Sequence, residues 1–354
     1  MAEKIRLSFI GVPTLVLCCS VANAQIEEIL VTAQKRTESL QDVPIAVTAI
    51  TGETMETLGV SNASDLVDLT PGFASAAQTG SSRNYFLRGV GTSDVHLTAA
   101  SAIGQYFDGV TLTSGFHAKA ALFDMERVEI LKGPQNTLFG LNTTGGAVNY
   151  ISAKPEIGGG TFGNATIKLG SNSRRELDAG VSFELSDNLA ARIAVQSISD
   201  DGAFTSTSNG ENYGDEDSNA FRATFLWEPT DRARITFNLR GLSSDNNSTA
   251  IKALGSRAPD GLGGLCTDAP TGILNFEIDT DCLSRDGGAT GEAATDPSTS
   301  DWSLTAQDFG SEVLDTKGAY LNFEYDLPWA TFSSLTSWDN LDVKNANDND
   351  GGDT

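Results

Sequence analysis

Glu176-Leu177-Asp178-Ala179-Gly180-Val181-Ser182-Phe183-Glu184-Leu185 alternates without a fault, with apolar side chains at every odd position and polar or small ones at every even position. A period of two sends successive side chains to opposite faces of a β-strand. The pattern returns in Leu189, Ala191, Ile193 and Val195 against Arg192 and Gln196, and in Phe221, Ala223, Phe225 and Trp227 against Arg222 and Thr224. It returns again in Ala233, Ile235, Phe237 and Leu239 against Arg234, Thr236, Asn238 and Arg240, and in Ala319, Leu321, Phe323 and Tyr325 against Asn322 and Glu324. An apolar face backed by a strongly polar one, sustained over about ten residues, is the pattern of a strand in a membrane β-barrel. A soluble β-sandwich alternates as well, but its connections do not sort by length. Here brief turns at 186–188, 228–231 and 326–328 alternate with long polar stretches at 199–218 and 243–316, apart from a short link at 171–175. Such sorting is expected when tight periplasmic turns face extracellular loops.

Upstream of Pro155 the texture differs. Pro44 to Ile50 reads as extended, Glu53 to Leu58 as a short helix stopped by Gly59, and Ser61 to Leu69 as a second helix stopped by Pro71-Gly72. Strands are predicted at Tyr85 to Arg88, Gly104 to Phe107 and Arg127 to Leu131. The fold class is therefore an α+β domain over 41–155, followed by antiparallel membrane strands over 156–354.

The first 24 residues read as an export signal: Lys4 and Arg6, an apolar run from Leu7 to Cys19, then Ala22-Asn23-Ala24, with cleavage expected between Ala24 and Gln25. The apolar run is shorter than the roughly 18 residues of a spanning helix. Of the four cysteines, Cys18 and Cys19 leave with the leader. Cys266 and Cys282 share the longest loop in an oxidising compartment, where a disulfide is expected and would stabilise that loop by about 3 kcal/mol. Zinc is the competing idea, but two ligands without a nearby histidine make no site. The 36 glycines and two histidines suit a β-rich exported protein, and the net charge of -24 argues against a nucleic-acid partner. Directly after the leader come Glu27 and Glu28 and then Ile29-Leu30-Val31-Thr32-Ala33, a β-type segment placed to add to a partner's sheet edge.

Several motifs in order resemble a TonB-dependent outer-membrane receptor. They are Ile29 to Arg36, Gln41-Asp42-Val43-Pro44-Ile45-Ala46-Val47, Leu87-Arg88-Gly89, Asp108-Gly109-Val110, the run from Glu126 to Gly140, and Gly145 to Ser152. The resemblance implies a plug inside a barrel of about 22 strands, of which this chain supplies about seven. It implies that Ile29 to Ala33 form a box, reached through a periplasmic linker over 25–40, that hangs into the periplasm and pairs with TonB, itself driven by an inner-membrane energising complex. Arg88, Arg127 and Glu129 are then expected to form salt bridges to the barrel wall. Gly89, Gly109, Gly133, Pro134, Gly140, Gly145 and Gly146 are expected at plug turns. The family often has Gly at Asn136 and Arg at Leu141, so an ionic contact near 141 is in doubt.

The function implied is energy-driven uptake of a scarce small molecule, most commonly an iron–siderophore complex, with carbohydrate or another organic nutrient as the alternative. Tyr85, His96, Tyr106 and His117 are candidates for substrate contact, each with ordinary packing as the competing reading. Haem is disfavoured by the scarcity of histidine. No cofactor, resident metal or enzymatic activity is expected: Asp348-Asn349-Asp350 lacks the spacing of a calcium loop, and no nucleophile, base and orienter set is present. A signalling domain ahead of the box would need about 70 residues, and four lie there. Seven strands cannot close around a plug, and open strand edges are costly in lipid. The chain is thus expected to be a fragment of a longer receptor or a transport-incompetent remnant.

Overall fold

The computed structural model describes residues 29–60, 62–77, 83–92, 101–119, 122–206, 212–247, 303–304 and 311–345. The expected leader and its cleavage point, His96, Cys266, Cys282 and most of the 243–316 loop lie outside these residues.

An N-terminal unit is built from short elements. Strand β1 (Leu30–Val31) pairs with β2 (Glu38–Ser39), and β3 (Ala46–Thr51) leads into α1 (Gly52–Leu58). Thr51 caps α1 by accepting from the Thr54 N–H at 3.2 Å, and Gly59, at φ 70°, ends it in the left-handed conformation that glycine adopts without a Cβ clash. The second expected helix shrinks to α2 (Leu66–Leu69). The Asn62 side chain accepts from the Ser64 N–H, and Asp65 accepts from the Asn62 N–H, so polar side chains hold residues 62–65 as a turn and delay the helix.

Strands β4 (Phe73–Ala77), β5 (Arg83–Leu87) and β6 (Val90–Gly91) form one small sheet. A five-stranded sheet is assembled from β3, β7 (Ile103–Phe107), β8 (Val110–Leu112), β9 (Met125–Lys132) and β10 (Gly146–Ser152), in the order β3-β9-β10-β7-β8. Between β8 and β9 lies a 3-10 turn (Gly115–Ala118), and between β9 and β10 lies α3 (Asn136–Phe139). β7 and β8 are joined by Asp108-Gly109, both at positive φ (48° and 85°), the two-residue turn that matches the twist of a hairpin. Every residue of β10 is buried because the strand is central and covered on both faces, which also removes the alternation a sequence reader looks for. Gly146 in β10 has no substitute there, since a Cβ would lie 2.2 Å from the Leu131 carbonyl oxygen.

The second unit is a wall of seven antiparallel strands: β11 (Phe162–Leu169), β12 (Arg175–Ser186), β13 (Leu189–Ser199), β16 (Asp217–Thr230), β17 (Ala233–Asn247), β19 (Ser311–Leu327) and β20 (Ala330–Asn345). Three short strands, β14 (Phe204–Ser206), β15 (Asn212–Tyr213) and β18 (Ser303–Leu304), pair with one another beside it. Each wall strand neighbours the next in sequence, β11 and β20 are the two edges, and the sheet is not closed. The turns at 187–188, 231–232 and 328–329 are tight, as the sequence pattern predicts.

The faces of the wall are inverted relative to a soluble protein. Outward positions carry Ile193, Phe221, Leu321 and Trp338, all substantially exposed, whereas the inward face buries Arg222, Thr224 and Asn238 against the N-terminal unit. Only a hydrocarbon solvent makes that arrangement favourable. Replacing Ile193 with Arg is expected to lower folding stability in bilayers by about 2–4 kcal/mol, while Asp187→Arg in the adjacent turn leaves it nearly unchanged; urea titration of liposome-embedded protein measures both.

Candidate functional site

The β-type segment near the N-terminus is docked into the N-terminal unit. Leu30 and Val31 pair with Ser39 and Glu38, and the Leu40 N–H donates to the Ile29 carbonyl at 2.9 Å. Val31 and Ala33 are fully buried in a cluster with Val43, Tyr106, Leu131, Phe139 and Ala147. The Thr32 N–H donates to Glu129 Oε1 at 2.7 Å, and the Thr32 hydroxyl lies 3.2–3.3 Å from both carboxylate oxygens. Glu129 is itself fully buried and takes a further bond from Arg127 Nε at 2.8 Å. Its charge is thus held by two flanking partners, one of them part of the segment. Lys35 completes the attachment, its ammonium 4.6 Å from the Phe139 ring centre and 5.5 Å from that of Tyr106; burial pushes its pKa down. The segment expected to hang freely is instead docked, because its alternate apolar residues Val31 and Ala33 bury in an apolar groove of the N-terminal unit.

Between the two units the contacts centre on three wall arginines. Arg192 on β13 forms an ion pair with Asp124, with Nε donating to Oδ2 at 2.8 Å, and it also donates to the Ser182 hydroxyl. Arg222 on β16 is 1% exposed and donates through Nη1 to the Phe123 carbonyl at 2.8 Å and to the Asp124 carbonyl at 3.2 Å. Its guanidinium lies 4.4 Å from the Phe123 ring centre and 4.7 Å from that of Phe107. Arg240 on β17 approaches Phe107 to 4.8 Å and pairs with Asp339 of β20. Arg222 and Arg240 are direct cross-strand partners, a like-charge pairing that Asp339 and the negative faces of the rings offset. The Tyr320 hydroxyl donates to Asp108 at 3.0 Å, and the same carboxylate accepts from the backbone and hydroxyl of Ser152. Apolar contacts of Phe116 and Phe123 with Ala194, Ala220, Leu242 and Leu314 close the interface.

Several expected sites move. Arg88 is exposed in the Arg88-Gly89 turn at φ 51°, beyond the end of β5, because the hairpin turn claims it. Arg127 and Glu129 pair with each other inside the N-terminal unit, Arg127 also with Glu126, and among the described residues neither forms an ion pair with the seven wall strands. Tyr85 is 3% exposed and stacked on Phe73 at 5.3 Å, Tyr106 is 2% exposed and donates to the Phe139 carbonyl at 2.5 Å, and His117 is 7% exposed. These three are packing residues in this structure rather than exposed apical contacts. Gly89, Gly109, Gly133, Gly140 and Gly146 have positive φ; Pro134 follows Gly133, and Gly145 packs against Ile103 and Val90. Leu141 is 86% exposed and carries no charge to pair. The roles of Asp108, Asp124, Arg192, Arg222, Arg240 and Tyr320 escaped the sequence reading, although three arginines at polar-face positions of consecutive wall strands were a legible signal.

The family model described as TonB-dependent Receptor Plug Domain matches residues 39–147. The chain is 28% identical over 189 residues to the ferripyoverdine receptor of Pseudomonas aeruginosa, an alignment covering 49% of this chain and 21% of that protein. It is 25% identical over 219 residues to the ferrichrome outer membrane transporter/phage receptor of Escherichia coli, covering 58% and 26%. The structure of the ferric yersiniabactin uptake receptor FyuA from Yersinia pestis superposes with a TM-score of 0.62 at 17% identity, covering 84% of this chain and 41% of that one. The fold is thus that of a plug with the leading strands of its surrounding barrel. Residues 39–147 thus match the plug domain of TonB-dependent receptors, and the alignments span about a quarter of the length of these two relatives.

Arg192→Gln leaves the buried Asp124 carboxylate without its charged partner and is expected to destabilise the interface by about 3 kcal/mol. Hydrogen exchange of the 122–126 segment, faster in the variant, measures it.

Proposed function

We propose that the intact molecule is an active-transport receptor of the outer membrane, taking up a scarce ligand with energy delivered by TonB and its inner-membrane complex. The observation that carries this reading is the docked segment Ile29 to Ala33, a short strand held by one carboxylate and one apolar groove, which a partner can capture by main-chain pairing once it is released. A ferric siderophore is the ligand class supported by what the two similar receptors are named for. A non-iron organic nutrient is the alternative. The reading takes residues 1–24 as the export signal, 25–40 as box and linker, 41–155 as plug and 156–354 as barrel. It assigns no enzymatic step: the buried polar residues tie the units together.

Glu129→Ala removes the acceptor of Thr32. It is expected to raise capture of the chain by the periplasmic domain of TonB several-fold, as hydrogen bonds to a charged acceptor are each worth about 1.5–3 kcal/mol. Leu30→Pro deletes a backbone donor within the segment and is expected to abolish capture. Equal capture of wild type, Glu129→Ala and Leu30→Pro in a pull-down would sink the assignment of this segment as the TonB box.

A further inference from the structure

His117 lies on the 3-10 turn of the plug and borders a small cavity against the wall, together with Phe107 and Leu112 of the plug and Arg240, Thr316 and Asp339 of the wall. It is 7% exposed, and among the described residues neither ring nitrogen has a hydrogen-bond partner. Arg240 Nη1 on the same cavity is also unpartnered, while Nη2 is engaged by Asp339. The charged groups around the imidazole are Arg240 on β17, Asp339 on β20 and Lys317 of β19 at the cavity edge. Lys119 of the plug turn is directed to Ser244 and Glu216 instead.

The chemistry of this corner selects its ligand. A bound cation would meet Arg240, and a bound anion would meet Asp339. A proton on the seated imidazole would meet Arg240 too, so the imidazole gains a proton most easily where the corner leaves Arg240 for water. We propose that His117 is a proton site that controls how firmly this corner of the plug sits on strands β17 to β20, neutral when seated and protonated when the corner lifts away.

Burial pushes the imidazole below its ordinary pKa; Asp339 and the nearby Ser114 backbone oppose that effect and Arg240 adds to it. The sign follows from linkage. The lifted corner keeps the ordinary histidine value near 6.5, so seating is at full strength above that pH. It weakens as the pH falls from there toward the lower value of the seated state, because the lifted form binds a proton that the seated form refuses.

The chain has two histidines, so a proton NMR titration of the full chain, with His96→Asn to assign the signals, reads His117 directly. The expected result is a midpoint below that of a free imidazole. A midpoint at or above about 6.5 overturns the proposal, and an unfolded plug would give that same refuting value. Hydrogen exchange of residues 114–119, corrected for its intrinsic pH dependence, is expected to speed up roughly threefold or more between pH 8 and pH 5.5. His117→Gln is expected to flatten that response; a folded His117→Gln chain with the wild-type pH response also overturns the proposal.

Discussion

A guanidinium taken out of water must find every partner it needs in protein, and Arg222 sets that constraint at the centre of this molecule. It projects from the polar face of a wall strand, loses almost all contact with solvent, and directs Nη1 at the backbone carbonyls of Phe123 and Asp124, with its guanidinium against the rings of Phe107 and Phe123. Because those carbonyls belong to the residues leading into β9, one wall side chain holds the start of that plug strand in place. Arg192 on one side and Tyr320 on the other complete a row of polar contacts whose plug partners, Asp124 and Asp108, lie at the ends of β-elements. Helix caps and strand alternation are satisfied around that row without determining it.

β9 links the two functional regions. Its N-terminal end is gripped by the wall through Asp124, and further along the same strand Glu129 holds Thr32 of the N-terminal segment. The two attachments differ in kind. The wall attachment combines buried ion pairing, carbonyl acceptance and aromatic stacking, whereas the segment is held by hydrogen bonds to one carboxylate and by a few apolar side chains. The wall attachment therefore has more buried charged contacts to break than the segment does.

The buried tyrosines show why residue type alone misleads at such a site. Tyr85 and Tyr106 are of a residue type that ligand sites use, because a phenol offers both an apolar ring and a hydroxyl. In the folded chain Tyr85 packs against Phe73, and Tyr106 satisfies its hydroxyl with the Phe139 carbonyl. Arg88 erred in the opposite direction: a charged residue expected against the wall instead occupies a two-residue hairpin turn. In each case the deciding quantity was the position of the strand end relative to the sheet.

By itself the sequence determined the wall strands, their turns and the face each presents to lipid, because a period of two is a local property and ten residues suffice to display it. It also determined α1 with its Gly59 stop, and the segment from Ile29 to Ala33 as a β-type unit. Tertiary structure alone decided that this segment is docked, that Glu129 faces Thr32, and that Asp108, Asp124 and three wall arginines join the two units. Those contacts link residues as far as 212 positions apart. Which carboxylate meets which guanidinium depends on sheet order and on the depth at which the plug sits, and neither leaves a periodic trace in the chain.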